Sequence, residues 1–164
     1  MNKQTHGKLI KNRYMKKWYF ICMLAVVALC FAGCKGNNEP ESFHGNVARP
    51  TWTAPTQYDY SSSMTAVILV DLKAQYPEQA ADFVLKSEDL LAAFAGETCV
   101  GVGSQLENGL FNLMMVDAEG AITLRYYSAH YKNLFEAKDA FVFRNDGRLG
   151  TIDEPYVPAF VVVK

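Results

Sequence analysis

From Met64 onward the chain alternates short apolar runs with turn signals every roughly eight to twelve residues, and this spacing narrows the choice of fold more than any other feature. "MTAVILVDL" is apolar on both alternating faces: Ala66, Ile68, Val70 and Leu72 on one, Val67 and Leu69 on the other. That suits a central strand. "LFNLMMVDAEGAITLRYY" reads as a hairpin, with Asp117-Ala118-Glu119-Gly120 as its turn. After the turn Ile122, Leu124 and Tyr126 point one way and Thr123, Arg125 and Tyr127 the other, the pattern of a half-buried antiparallel strand. "DAFVFRNDGRLG" supplies a short strand over residues 140–144 and a turn at Asn145-Asp146-Gly147, and "AFVVVK" a closing strand.

Three segments are less regular. "KSEDLLAAFAG" has the punctuation of a helix: Ser87 as N-cap, Glu88 and Asp89 in the first turn, Gly96 after the end. It spans barely two turns and runs straight into the strand-like "ETCVGVGS". The favoured reading is a hairpin, residues 91–94 against 98–102 across Ala95-Gly96-Glu97. "YPEQAADFVL" is the better place for a short helix, with Pro77 at its first position. "ARPTWTAPTQYDYSSS" predicts an edge strand around Trp52 bounded by Pro50 and Pro55. Seven or so short strands in a domain of about 115 residues predict an all-β antiparallel sandwich, with room for one short helix.

A resemblance sharpens that expectation. "DLLAAFAGETCVGVGS" followed by "GLFNLMMVDAEGAITLRYYSA" is similar to β-sandwich modules in secreted and surface proteins of gut-commensal Gram-negative bacteria. Their pattern D-x-L-x-A-F-x-G-x-x-C-x-G-V, then a strand, a turn and I-T-x-R-x-Y, is met by Asp89, Leu91, Ala93, Phe94, Gly96, Cys99, Gly101, Val102, Ile122, Thr123, Arg125 and Tyr127. Val100 stands where the pattern usually has Arg. The likeness covers roughly residues 64–156. It implies an Ig-like accessory or binding module and carries over no catalytic residue.

The N-terminal part reads differently. Lys3, Lys8, Lys11, Arg13, Lys16 and Lys17 precede an apolar run from Trp18 to Ala32, and no acidic residue lies among them. That run is shorter than the roughly 18 to 20 residues that span a bilayer comfortably. A basic region, a short apolar region and small residues at its end make a secretory signal. Its end, Phe31-Ala32-Gly33-Cys34, resembles a lipobox, the cleavage site of bacterial lipoprotein precursors, with Phe31 in place of the usual Leu, Val or Ile. The resemblance implies cleavage before Cys34 and lipid on its thiol and new amino group. Two or more acyl chains anchor stably where one does not. Residues 1–33 are therefore expected as signal peptide, with Met15 an alternative start. Residues 34–63 follow as lipidated cysteine, loose tether and lead-in, and residues 64–164 as the sandwich domain. Lipoproteins of enteric bacteria that stay at the inner membrane carry Asp after the cysteine, so Lys35 there implies the outer membrane, and Glu39 and Glu41 nearby resemble the acidic surface-export signals of some gut commensals, which implies the cell surface over the periplasmic side.

Removing residues 1–33 leaves ten basic side chains against seventeen acidic ones. Such a surface argues against nucleic acid, whose phosphates need clustered Lys and Arg. Cys22 and Cys30 leave with the leader and Cys34 carries lipid, so Cys99 stands without a disulfide partner and reads as a structural thiol. His44 and His130 show no ligand spacing, and a zinc site needs three or four ligands, so neither metal nor other cofactor is expected. Asp117, Glu119, Asp146, Asp153 and Glu154 lie in turns, where Asp is frequent for backbone reasons, whereas calcium needs about six to eight oxygens. No G-x-S-x-G or phosphate loop occurs, and the chain reads as no enzyme.

Aromatic side chains are the remaining candidates. "RYYSAHYKNLF" places Tyr127 and Tyr131 where they are expected to face outward beside His130, and Trp52, Tyr58 and Tyr60 form a second group. Flat rings with polar edges suit sugars. The leading expectation is a non-catalytic outer-membrane lipoprotein that binds glycan or peptide beside a transporter or neighbouring lipoproteins. A structural lipoprotein that pairs an edge strand with a partner is the alternative, and a small hydrolase the third.

Overall fold

The computed structural model describes residues 43–56 and 60–163. The leader, Cys34 and Tyr58 lie outside the described residues. Among the described residues ten strands form two sheets. The first sheet is built on β1 (Ser63–Leu69), which pairs antiparallel with β5 (Leu110–Val116) and parallel with β9 (Gly147–Leu149). β4 (Ser104–Gln105) extends it beyond β5. The second sheet runs in the order β10 (Phe160–Val162), β7 (Asn133–Ala137), β6 (Ala121–Ser128), β2 (Leu90–Ala95), β3 (Thr98–Val102), and β8 (Phe141–Val142) pairs with the start of β6. The sandwich is as the strand pattern requires, with ten strands, several of only two or three residues, where about seven were expected.

Period-two alternation places the core between the sheets. β1 sends Met64, Ala66 and Ile68 inward, and β5 sends Phe111, Leu113 and Met115. From the other sheet come Leu91 and Ala93, then Ile122, Leu124 and Tyr126, then Phe135 and Phe160. The two sheets approach closely at Gly101, where any Cβ would overlap the Met114 carbonyl. Gly150 serves the edge: its φ of +71° ends β9, and the chain returns at Tyr156, whose N–H donates to Val67 O at 2.9 Å.

The hairpin of residues 90–95 with 98–102 forms as expected, closed by Gly96 and Glu97 alone. The expected hairpin through "DAEG" does not form. β5 belongs to the first sheet and β6 to the second, so Asp117–Gly120 crosses between sheets. Both strands carry the same inward alternation, and they face each other across the core instead of pairing edge to edge. Asp117 fastens this arch. Its carboxylate accepts the N–H groups of Ser61 and Ser62, each at 2.9 Å, and both serine hydroxyls.

The short helix also lies earlier than expected. It is a single turn, α1 (Leu72–Gln75), capped by Asp71, which accepts from Ala74 N at 3.0 Å. Residues 77–82 form turns that return the chain so that Ala80 and Phe83 join Leu72 in the core. Gln75 holds β10 from both sides, donating to Pro158 O and accepting from Phe160 N. No strand forms around Trp52. The lead-in is nonetheless not loose from Phe43 on. Phe43 is buried against Tyr76, Tyr131 and Phe135, and Gly45 and Val47 donate backbone N–H groups to Tyr131 O and Lys132 O at 2.9 Å.

Candidate functional site

The aromatic residues singled out from sequence do not offer free ring faces. Tyr127 is only 5% exposed, because the lead-in crosses the outer side of the second sheet, and its hydroxyl donates to Val47 O at 3.4 Å. Tyr131 is 1% exposed. Its ring stacks on Phe83 at 5.9 Å and meets Phe43 edge-on, while its hydroxyl donates to Asp82 Oδ1 at 2.9 Å. Sequence alternation correctly sends Tyr127 to the outer face, but that face is covered by residues some eighty positions earlier. Trp52 is half-buried and sits edge-on to Phe94 at 5.5 Å, contacting neither tyrosine.

The residues of the recurring pattern work on the fold. Asp89 is buried and accepts three hydrogen bonds, from Tyr126 Oη (2.6 Å), Ala129 N (2.7 Å) and Lys86 N (3.0 Å). Burial, then the charge of Asp89, pushes the Tyr126 phenol far above its usual range. Arg125 lies 4.5 Å over the Phe94 ring and is held by two carboxylates: Glu97 takes two bonds at 3.0 and 3.1 Å, and Glu136 one at 3.0 Å. This clamp joins β2, β6 and β7 across the outer face and needs no ligand.

Two other places carry chemistry. The first is a cleft of about 280 Å³ at the free edge of β3, lined by Pro55, Thr56, Tyr60, Thr98, Cys99, Val100, Val116 and Asp117. Partial burial pushes the Cys99 thiol up from its ordinary value, so it stays protonated and poorly nucleophilic. This fits the structural reading of that cysteine. The Asp117 carboxylate on the same wall is occupied by Ser61 and Ser62.

The second place joins three segments far apart in sequence. His130 in the β6–β7 turn puts Nε2 3.3 Å from Asp82 Oδ2, and His44 in the lead-in puts its own Nε2 4.0 Å from the same oxygen. Hydrogen bonds from Tyr131 and then His130 hold the Asp82 carboxyl below its usual range. Burial, and then the same carboxylate, push the Tyr131 phenol upward. Spacing along the chain gave no signal for this convergence. It exists because Phe43, buried next door, fixes the direction of the lead-in.

No protein-family model matches this chain, and comparison with curated proteins and with solved structures returns no match.

Proposed function

We propose that the chain is a lipid-anchored, non-catalytic binding module of the bacterial outer membrane, exposed at the cell surface, serving an assembly that takes up glycan or peptide. The observation that carries this reading is the Phe31-Ala32-Gly33-Cys34 sequence at the end of the apolar leader. Phe43, the ninth residue after Cys34, is already in the core, so the chain between them reaches at most about 30 Å. The chain enters the sandwich at the end of β6 that carries the Ser128–Asn133 pair. The β3 cleft lies at the other end of the second sheet, near the Ala95–Thr98 pair.

The test is Cys34→Ala in the native host. Wild type is expected in the outer-membrane fraction at mature mass with its acyl chains, and the variant uncleaved or soluble. A variant that stays anchored at mature mass overturns the reading. A mild-detergent pull-down of the wild type then identifies the assembly. Stoichiometric recovery of an outer-membrane transporter or a neighbouring lipoprotein is the expected result.

A second reading, strand addition to β3, is favoured by the three consecutive β3 residues that line the cleft at the sheet edge, Thr98, Cys99 and Val100. It predicts recovery of a protein partner in detergent with no retention on glycan.

A further inference from the structure

The outer face of the second sheet carries a buried strip that is separate from the core between the sheets. Leu91 and Ala93 of β2 and Leu124 and Tyr126 of β6 face the core, so alternation turns Ala92, Phe94 and Tyr127 outward. All three are nevertheless buried, at 0%, 4% and 5% exposed. The lead-in meets this strip at both ends. Tyr127 Oη donates to Val47 O at 3.4 Å, and Trp52 stands edge-on to Phe94 with ring centroids 5.5 Å apart. Between these contacts Arg49 Nε donates to Glu88 O at 2.9 Å. Residues 47–52 form no strand with the sheet, and none of them is itself buried.

We propose that this face is a docking groove for an extended peptide of a partner protein, one that carries an aromatic and a basic residue, and that the lead-in fills the groove until such a peptide displaces it. The assignment rests on the reading of the chain as a binding module, not on its lipid anchor. The present occupant is an extended peptide, and its contacts state the chemistry that the groove accepts: a main-chain carbonyl for the Tyr127 hydroxyl and a flat ring against Phe94. Charge adds the basic residue. Arg125 lies 4.5 Å over the Phe94 ring and is bonded to both Glu97 and Glu136, so two carboxylates face one guanidinium. The Glu97 side chain is 88% accessible. The excess negative charge beside the ring attracts a cation and disfavours an acidic peptide. The lead-in itself has Arg49 three residues before Trp52.

Extended segments are commonly bound by main-chain hydrogen bonds together with a pocket for a side chain, and both elements are present here. The lead-in is fixed at its start, where Gly45 N donates to Tyr131 O and Val47 N to Lys132 O. Past Val47 the Arg49 bond and the Trp52 edge contact hold it. A peptide from another molecule competes with a segment of the same chain, whose effective concentration is on the order of millimolar. Loosening the lead-in therefore raises the apparent affinity for that peptide, in proportion to the fraction of chains with an open groove.

The probe is a fluorescein-labelled synthetic peptide with the sequence of residues 45–56, which omits Phe43 and so does not compete for the core. It is titrated by fluorescence anisotropy into the full chain in detergent, as wild type and as Val47→Pro. Val47 lies outside the core cluster, and proline there removes the N–H that bonds Lys132 O. Saturable binding of one peptide per chain is expected, about tenfold or more tighter in Val47→Pro than in the wild type. Arg49→Ala, at an exposed side chain, is a second loosening variant and should act in the same direction. Trp52→Ala within the peptide should weaken binding about tenfold or more, and Arg49→Glu within it should weaken binding as well. Absence of saturable binding to the loosened variants overturns the proposal, and so does binding that Trp52→Ala in the peptide leaves unchanged. A wild-type mass that doubles with concentration in light scattering gives the groove to the lead-in of a second copy and overturns the assignment to a partner. The Cys34→Ala test of the anchor stands or falls separately.

Discussion

The hydroxyl of Tyr126 donates to the buried carboxylate of Asp89 across 2.6 Å, joining β6 to the residue just before β2. Asp89 also accepts from Ala129 N and Lys86 N, so one carboxylate orders the turn before β2 and the turn after β6. Removing one partner of a buried polar set leaves the others short of a bond, at about 1–3 kcal/mol for each group left unsatisfied. Tyr126→Phe should therefore destabilise the fold by about 1–3 kcal/mol. Asp89→Ala should cost more, because it strands a phenol and two backbone N–H groups together. Urea denaturation of both variants measures this. Equal costs would mean that the backbone bonds to Asp89 contribute nothing.

The strands and their inward residues were legible because a sandwich strand has a period of two, and Met64-Ala66-Ile68 or Ile122-Leu124-Tyr126 show it directly. The 90–95/98–102 hairpin was legible because the competing helix would span barely two turns before running straight into a strand-like stretch. Sheet membership was not legible. Phe111-Leu113-Met115 and Ile122-Leu124-Tyr126 present the same pattern whether they pair in one sheet or face each other across two, and "DAEG" serves either as hairpin turn or as arch. The distant contacts of Asp117 with Ser61 and Ser62 decide it. Cover on the outer face was likewise invisible. Tyr127 alternates as a surface residue should and is covered by the docked lead-in, while Tyr131, in the β6–β7 turn, is covered by Phe43 from the lead-in and by Phe83 from the segment after α1.

The arch bond makes a prediction about pH. Burial alone would raise the Asp117 carboxyl, but the N–H groups of Ser62 and Ser61 and then their hydroxyls hold it below its ordinary value of 3.8. A folded-state value lower than the unfolded one means that ionised Asp117 stabilises the fold above about pH 4 and loses that contribution as pH falls through the folded value. Melting temperature should thus drop below pH 4 more steeply in the wild type than in Asp117→Asn. Parallel pH profiles for the two proteins would show that the charge on Asp117 is not what fastens the arch.

Gly101 and Met114 set the spacing of the sheets. A Cβ at residue 101 would lie inside the van der Waals radius of the Met114 carbonyl, which is backbone and has no rotamer to yield. Overpacking of this kind costs about 1–3 kcal/mol, and more where the backbone must move. Gly101→Ala should destabilise at the upper end of that range, read as a lower urea midpoint with unchanged slope. A variant as stable as the wild type would mean that the sheets separate freely.

Phe43 is the point at which the chain joins the folded body. Its ring is 7% exposed and makes edge contacts with Tyr76 (4.9 Å), Phe135 (5.5 Å) and Tyr131 (5.6 Å), and its carbonyl accepts from Asn133 Nδ2 at 3.2 Å. Truncating a buried phenylalanine to alanine costs about 3–5 kcal/mol. Trp52, half-buried and edge-on to Phe94 among the described residues, should cost roughly 1 kcal/mol or less when truncated. The consequences beyond stability differ as well. Phe43→Ala releases the backbone bonds of Gly45 and Val47, uncovers the Tyr127 hydroxyl and frees the lead-in from the β6–β7 turn. Limited proteolysis should then cut the Phe43→Ala protein within residues 43–56 while the Trp52→Ala protein resists. Equal protease resistance in the two variants would place the anchoring of this segment somewhere other than Phe43.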